Sequence, residues 1–170
     1  MSRWLILIAV LIVIGAVGGI LLTRAQVLAA PEQPISYSHQ AHVKAGVQCL
    51  FCHSNALRSP VAGIPSVQKC MGCHAVIATD KPEIKKVTSY WERGEPIPWV
   101  RVNIQPDFVY FSHQPHLGAG LSCENCHGDV GNMTVDQPVV KMDMGWCLDC
   151  HLKQPEANIA RLTDCLTCHK

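Results

Sequence analysis

The chain has 170 residues and a formal net charge of +1, from 14 Lys and Arg against 13 Asp and Glu. There is no basic stripe, which excludes a nucleic-acid reader, and the length allows one domain with an appendage. The hydrophobic share of 48% sits largely in the first 22 residues and in ten cysteines, so the remainder is too broken by Gly, Pro and polar residues to bury a core from side chains alone.

Trp4 to Leu22 is a run of 19 residues without charge or proline. As a helix it spans about 28 Å, close to the hydrocarbon thickness of a bilayer. Arg3 and Arg24 bracket it, and Trp4 stands where an interfacial aromatic belongs. Residues 1–24 therefore read as a transmembrane anchor. A cleaved signal peptide is the alternative, with Val27-Leu28-Ala29 ahead of Ala30 as a tolerable cleavage site, but the apolar run is longer than a usual signal core. Gly15 and Gly19 form G-x-x-x-G within it, a spacing that lets another helix approach. Residues 25–36, with Pro31 and Pro34, are a linker.

From residue 37 the chain is organised by C-x-x-C-H. It occurs five times, at Cys49–His53, Cys70–His74, Cys123–His127, Cys147–His151 and Cys165–His169, and uses all ten cysteines. This is the attachment signature of c-type haem. Two thiols add across the haem vinyls, and the adjoining imidazole becomes the proximal iron ligand. Zinc knuckles do not put His directly after every second Cys. A thioredoxin-like pair occurs once in a strand–helix unit rather than five times, and a disulfide framework has no need of the histidines. The cofactor-binding candidates are therefore Cys49, Cys52, Cys70, Cys73, Cys123, Cys126, Cys147, Cys150, Cys165 and Cys168. His53, His74, His127, His151 and His169 are the proximal ligands. Five macrocycles, at about 28 residues each, supply the apolar surface that the side chains lack, and their propionates make the assembled protein acidic. Haem is attached outside the cytoplasmic membrane, so this region faces the periplasmic or extracellular side and the Arg3 end is cytoplasmic.

The region contains an internal repeat. Tyr37-Ser38-His39-Gln40-Ala41-His42 leads to Cys49, and Phe111-Ser112-His113-Gln114-Pro115-His116 leads to Cys123, at a constant offset of 74 residues. Each copy (37–74 and 111–151) carries two haem motifs, and residues 152–170 add the fifth. Between the copies, Asp80 as N-cap, Pro82 in the first turn, Glu83 at the capping-box position and Gly94 as stop predict a helix over 81–93. Residues 96–102 and 108–111 are expected to be extended.

Nine histidines are present. The four that are not proximal are His39, His42, His113 and His116, all within the repeated H-x-x-H segments. They are the distal-ligand candidates, the first of each pair for the nearest following haem and the second for a different one. Five irons with four spare histidines leave one distal position, for which methionine sulfur is the natural donor. Met144, Met133 and then Met142 are the candidates, with an open iron as the alternative; Met71 lies inside a motif and Met1 at the far end of the anchor.

The aromatic-Ser-His-x-x-His segment ahead of C-x-x-C-H resembles the class III multihaem cytochromes, the c3 and c7 types. GIPSVQKCMGCH, DKPEIKKV, GEPIPWVRV, PDFVYFSH and MGWCLDCH extend the likeness, over residues 36–151, to the membrane-anchored pentahaem cytochrome subunit of alternative complex III. The resemblance implies a mostly coil fold with short α-helices around covalently bound haems. It also implies an electron-relay role without catalysis of its own, in a quinol:electron-acceptor oxidoreductase. The implied partners are an iron–sulfur subunit, polytopic quinol-binding subunits and a monohaem cytochrome c. An anchored quinol dehydrogenase of the NrfH/NapC type shares the single N-terminal helix but not the long segment 75–110. A catalytic multihaem reductase needs acid–base residues beside an open iron, and no motif has Lys in place of His.

Overall fold

The computed structural model describes residues 3–169, with the backbone alone for residues 24–27. Met1, set aside above as a ligand, and the side chain of Arg24 lie outside the described residues. The architecture is ten short or medium α-helices and one 3₁₀ turn joined by coil, with no strand among the described residues.

Helix α1 is Arg3–Val27, so it continues into what the sequence reads as linker. Its segment Arg3–Thr23 has a mean hydropathy of 3.1 and no buried residue, and is long and apolar enough to cross a membrane. A Cβ added at Gly15, Gly18 or Gly19 would meet nothing within 4 Å.

The short helices that follow are α2 (His39–Lys44), α3 (Cys49–Cys52), α4 (Val67–His74) and α5 (Pro82–Glu92). The second part of the chain contributes α6 (His113–Gly118), α7 (Glu124–His127), a 3₁₀ turn (Val130–Asn132), α8 (Met144–His151), α9 (Glu156–Leu162) and α10 (Cys165–Cys168). Each C-x-x-C-H motif lies on or beside one of them. A single turn brings residues i and i+3 to one face, so both thiols of a motif point the same way.

Helix α5 starts one residue later than predicted. Pro82 occupies its first position, which makes Lys81 the N-cap, and Asp80 makes no capping hydrogen bond. Glu83 turns away from the helix start and accepts the Ser36 amide at 2.6 Å, tying the linker to α5. The stop is as expected. Gly94 has φ +66°, and the amides of Gly94 and Glu95 reach back to the carbonyls of Trp91 and Tyr90 at 3.0 Å each, a closed Schellman end. Within the segment expected to be extended, Phe108 instead lies in a turn closed by the Val109 amide on the Pro106 carbonyl, with Asp107 and Phe108 as its two corners.

Among the described residues only Ile35, Ala56, Val67, Val87 and Ile97 are buried. Four of these, Ile35, Val67, Val87 and Ile97, form the one apolar cluster, with Cys70, Met71, Tyr90 and Trp99 packed on its rim. The accessible surface is 12509 Å², whereas a globular monomer of this mass exposes about 8,200 Å². The exposed α1 accounts for part of the excess. The rest is what a polypeptide leaves open when its core is not made of its own side chains.

Candidate haem-binding site

The site is built from the repeat. In α2, Ser38 caps the helix by accepting the Ala41 amide at 3.2 Å. Gly46, at φ +84°, closes it, with the Gly46 amide on Val43 and the Val47 amide on the His42 carbonyl. Helix α6 ends the same way: Gly120, at φ +86°, and Leu121 reach the carbonyls of Leu117 and His116. The aromatic residue that opens each segment holds both histidines. Tyr37 meets His39 edge-on at 4.9 Å and stacks on His42 at 4.6 Å. Phe111 meets His113 edge-on at 4.8 Å and His116 at 4.7 Å.

The four spare histidines each face a motif histidine. Ring centroids are 6.5 Å apart for His39 and His53, 6.0 Å for His42 and His74, 6.3 Å for His113 and His127, and 6.1 Å for His116 and His151. The first His of each segment thus meets the nearest following motif, and the second meets the other motif of its repeat. These separations are too long for rings in face contact. A metal–imidazole bond of about 2.0–2.1 Å plus about 1.2 Å from nitrogen to ring centre places two imidazoles on one metal about 6.5 Å apart, so the four pairs fit an iron between them.

Hydrogen bonding selects the nitrogen that stays free. Backbone carbonyls accept from Nδ1 of His42 (Ser38, 2.8 Å), His53 (Gly63, 2.7 Å) and His74 (Ile77, 3.0 Å). The same holds for His113 (Pro60, 2.9 Å), His116 (Ser112, 2.7 Å), His151 (Leu162, 2.8 Å) and His169 (Phe108, 3.2 Å). A carbonyl only accepts, so Nδ1 carries the proton and Nε2 keeps its lone pair for a metal. His127 Nδ1 pairs with the Asn103 amide at 3.1 Å, and either end of that amide serves. His39 Nδ1 is buried without a protein partner. Burial holds the His39 and His127 rings below the usual imidazole range, with Asp136 opposing it in both; an imidazole kept neutral is one available to bind. Burial also raises the thiols of Cys52, Cys70, Cys123, Cys126 and Cys147. Tyr37, pushed up to about 12 by burial and then by Cys52 and Cys70, stays protonated.

His169 differs. Its ring neighbour is Phe108, at 5.8 Å and tilted 33°, and all four spare histidines are engaged elsewhere. Among the methionines, Met144 opens α8 and is 62% exposed. The Met133 carbonyl accepts the Gln40 amide at 2.9 Å, which ties its backbone to α2. Met142 is half-buried. Met71 packs on the apolar cluster. No disulfide joins any of the ten cysteines, and among the described residues no three His, Cys, Asp or Glu side chains converge on a bare metal ion.

Two family models match the chain: the class III cytochrome c family over residues 22–96, and cytochrome c7 and related cytochromes c over residues 109–170. A multihaem cytochrome c subunit of a menaquinone reductase from Nitratidesulfovibrio vulgaris (strain Hildenborough) is 32% identical over 162 residues, covering 82% of this chain and 77% of the relative. The chain belongs to the multihaem cytochromes c. This family carries covalently bound c-type haems in electron transport, and the described residues of this chain are helix and coil without strand. The multihaem cytochrome thus takes its class III character from the repeat. What the sequence left invisible were the carbonyls of Gly63, Ile77, Leu162 and Pro60, because a backbone acceptor has no residue signature; Asn103 had no signal either.

Proposed function

We propose that the chain holds five c-type haems and relays electrons between the quinone-reactive part of a membrane oxidoreductase and a cytochrome or soluble acceptor. The observation that carries this is the set of four facing imidazole pairs with Nδ1 tied back in seven of the nine rings. A haem, when bound, supplies one-electron iron chemistry. The thiols of the five motifs would attach it, and His53, His74, His127 and His151 with the facing His39, His42, His113 and His116 would hold its iron. His169 binds at the fifth motif. Met144 is its proposed partner, because it opens α8, whose His151 donates to the Leu162 carbonyl just ahead of the fifth motif; Met133, tied to α2, is the alternative. Tyr37 and Phe111 exclude water from the distal rings and fix their orientation.

Helix α1 anchors the chain in the cytoplasmic membrane with the haem domain outside. The complex is of the alternative complex III type, with iron–sulfur, polytopic quinol-binding and monohaem cytochrome subunits as partners. The relative's description as a subunit of a menaquinone reductase favours a second direction, with electrons passing through the chain into quinone.

Intact mass and low-temperature EPR of the oxidised protein test the site. Five haem additions, four bis-imidazole irons and one distinct iron are expected, and Met144→His should lower a single midpoint potential. Fewer than five haems, or a fifth bis-imidazole iron in the native chain, overturns the reading.

A further inference from the structure

The motifs are numbered 1 to 5 along the chain, but their neighbours in space follow a different order. His39 and His42 share α2 three residues apart, and face the histidines of motifs 1 and 2. Side chains at that spacing stand about 5–6 Å apart at Cβ, so motifs 1 and 2 adjoin. Lys69, just ahead of motif 2, donates to the carbonyl of Phe51 within motif 1 at 2.6 Å. By the same logic α6 joins motifs 3 and 4 through His113 and His116.

Two further contacts link these pairs. Cys49 of motif 1 and Cys123 of motif 3 line one cavity of about 350 Å³ with Leu50, Leu57, Leu117 and Leu121. Around it, α2 packs on the 3₁₀ turn that follows motif 3, and His113 donates to the carbonyl of Pro60 beyond motif 1. Motif 5 joins at motif 4: His151 donates to the carbonyl of Leu162, two residues before the Asp164 cap of α10.

We infer that the haem sites form one unbranched row in the order 2–1–3–4–5, with the sites of Cys70–His74 and Cys165–His169 at its two ends. This rests on the ligand assignment proposed above. The row reverses at its start: sequence order runs outward only from motif 3. Its motif 2 end is the one tied to the anchor. Ile35 packs with Val67 at the start of α4, eight residues beyond the end of α1, which is within about 28 Å of chain.

The fifth site lacks a facing histidine, so its EPR signal and midpoint potential form a native reporter in the full-length holoprotein. Single substitutions His116→Met, His113→Met, His39→Met and His42→Met each change one site. The row predicts that His116→Met, next to the reporter, shifts the fifth midpoint and alters its spin coupling. His113→Met should move it less, and His39→Met and His42→Met should leave it in place. If His116→Met does not mature, Cys165→Ser with Cys168→Ser removes the fifth site, and the signals of the His116/His151 site alone should change. A reporter that moves with His39→Met or His42→Met while all five haems are present overturns the order. A native chain with fewer than five haems, or His→Met changes that leave every low-spin signal intact, overturns the ligand assignment beneath it and the order with it.

Discussion

Residues 37–74 and 111–151 place the same segment in the same pose, yet they are held by different means. In both copies an aromatic ring meets two histidines at 4.6 to 4.9 Å, and a positive-φ glycine closes the helix that carries them. Around the first copy, Ile35, Val67, Val87 and Ile97 form a protein core. Among the described residues every buried one precedes residue 100, and none lies in the second copy. The second copy instead borrows from the first, through His113 on the Pro60 carbonyl, and from the fifth motif, through His151 on the Leu162 carbonyl and the Tyr110 amide on the Cys168 carbonyl. One half thus has a small core independent of cofactor, and the other has none.

Withholding haem attachment breaks the comparison most strongly. Burial of four aliphatic side chains contributes about 1.5–3 kcal/mol each, which is marginal against chain entropy but not zero. In protein made without haem attachment, α4 and α5 should keep measurable amide protection by hydrogen-exchange mass spectrometry. Residues 100–169 should exchange at the rate of an unfolded chain. Equal protection in the two halves would show that the apolar cluster does not distinguish them.

The glycine caps sharpen the same comparison at smaller amplitude. Gly46 and Gly120 have φ of +84° and +86°, and an added Cβ would meet nothing within 4 Å at either. Gly46→Ala and Gly120→Ala therefore isolate backbone strain, about 1–2 kcal/mol at each site. The two losses should match in thermal unfolding of the holoprotein if the caps are equivalent. A larger loss at Gly120 would mean that the coreless half transmits a local defect further.

These differences mark what the sequence made legible. The motifs, the 74-residue repeat and the Gly94 stop are written in residue types whose chemistry is local. The α5 start was misread because Asp80 and Glu83 look like a capping box, whereas Pro82 sets the first helical position and frees Glu83 for the linker. The pairing of Cys49 with Cys123 around one cavity was not legible, since it depends on how the two copies meet and no residue type encodes that. Nor were the Nδ1 acceptors, which are main-chain atoms placed by tertiary packing.

The linker contact is the smallest effect and the one that belongs to the first half alone. Glu83 accepts the Ser36 amide at 2.6 Å and pairs with Lys86 at 2.7 Å. The Lys86 ammonium first, and then the Ser36 amide, hold its carboxyl below the usual carboxylate range. A carboxyl whose folded pKa lies below its unfolded value adds stability that is present above the unfolded pKa and lost as the pH falls through the folded one. The side chain is open to solvent, so the contribution is at the scale of surface pairs, about 0.2–1 kcal/mol. Glu83→Gln should cost that amount at neutral pH and nothing once the pH lies below the folded carboxyl pKa. The cost should appear as faster exchange of the Ser36 amide and of the first turn of α5, with residues 100–169 unchanged. A loss that persists at acid pH would assign the contact to packing rather than charge, and a change beyond residue 100 would show that the first half does not hold its linker independently of the second.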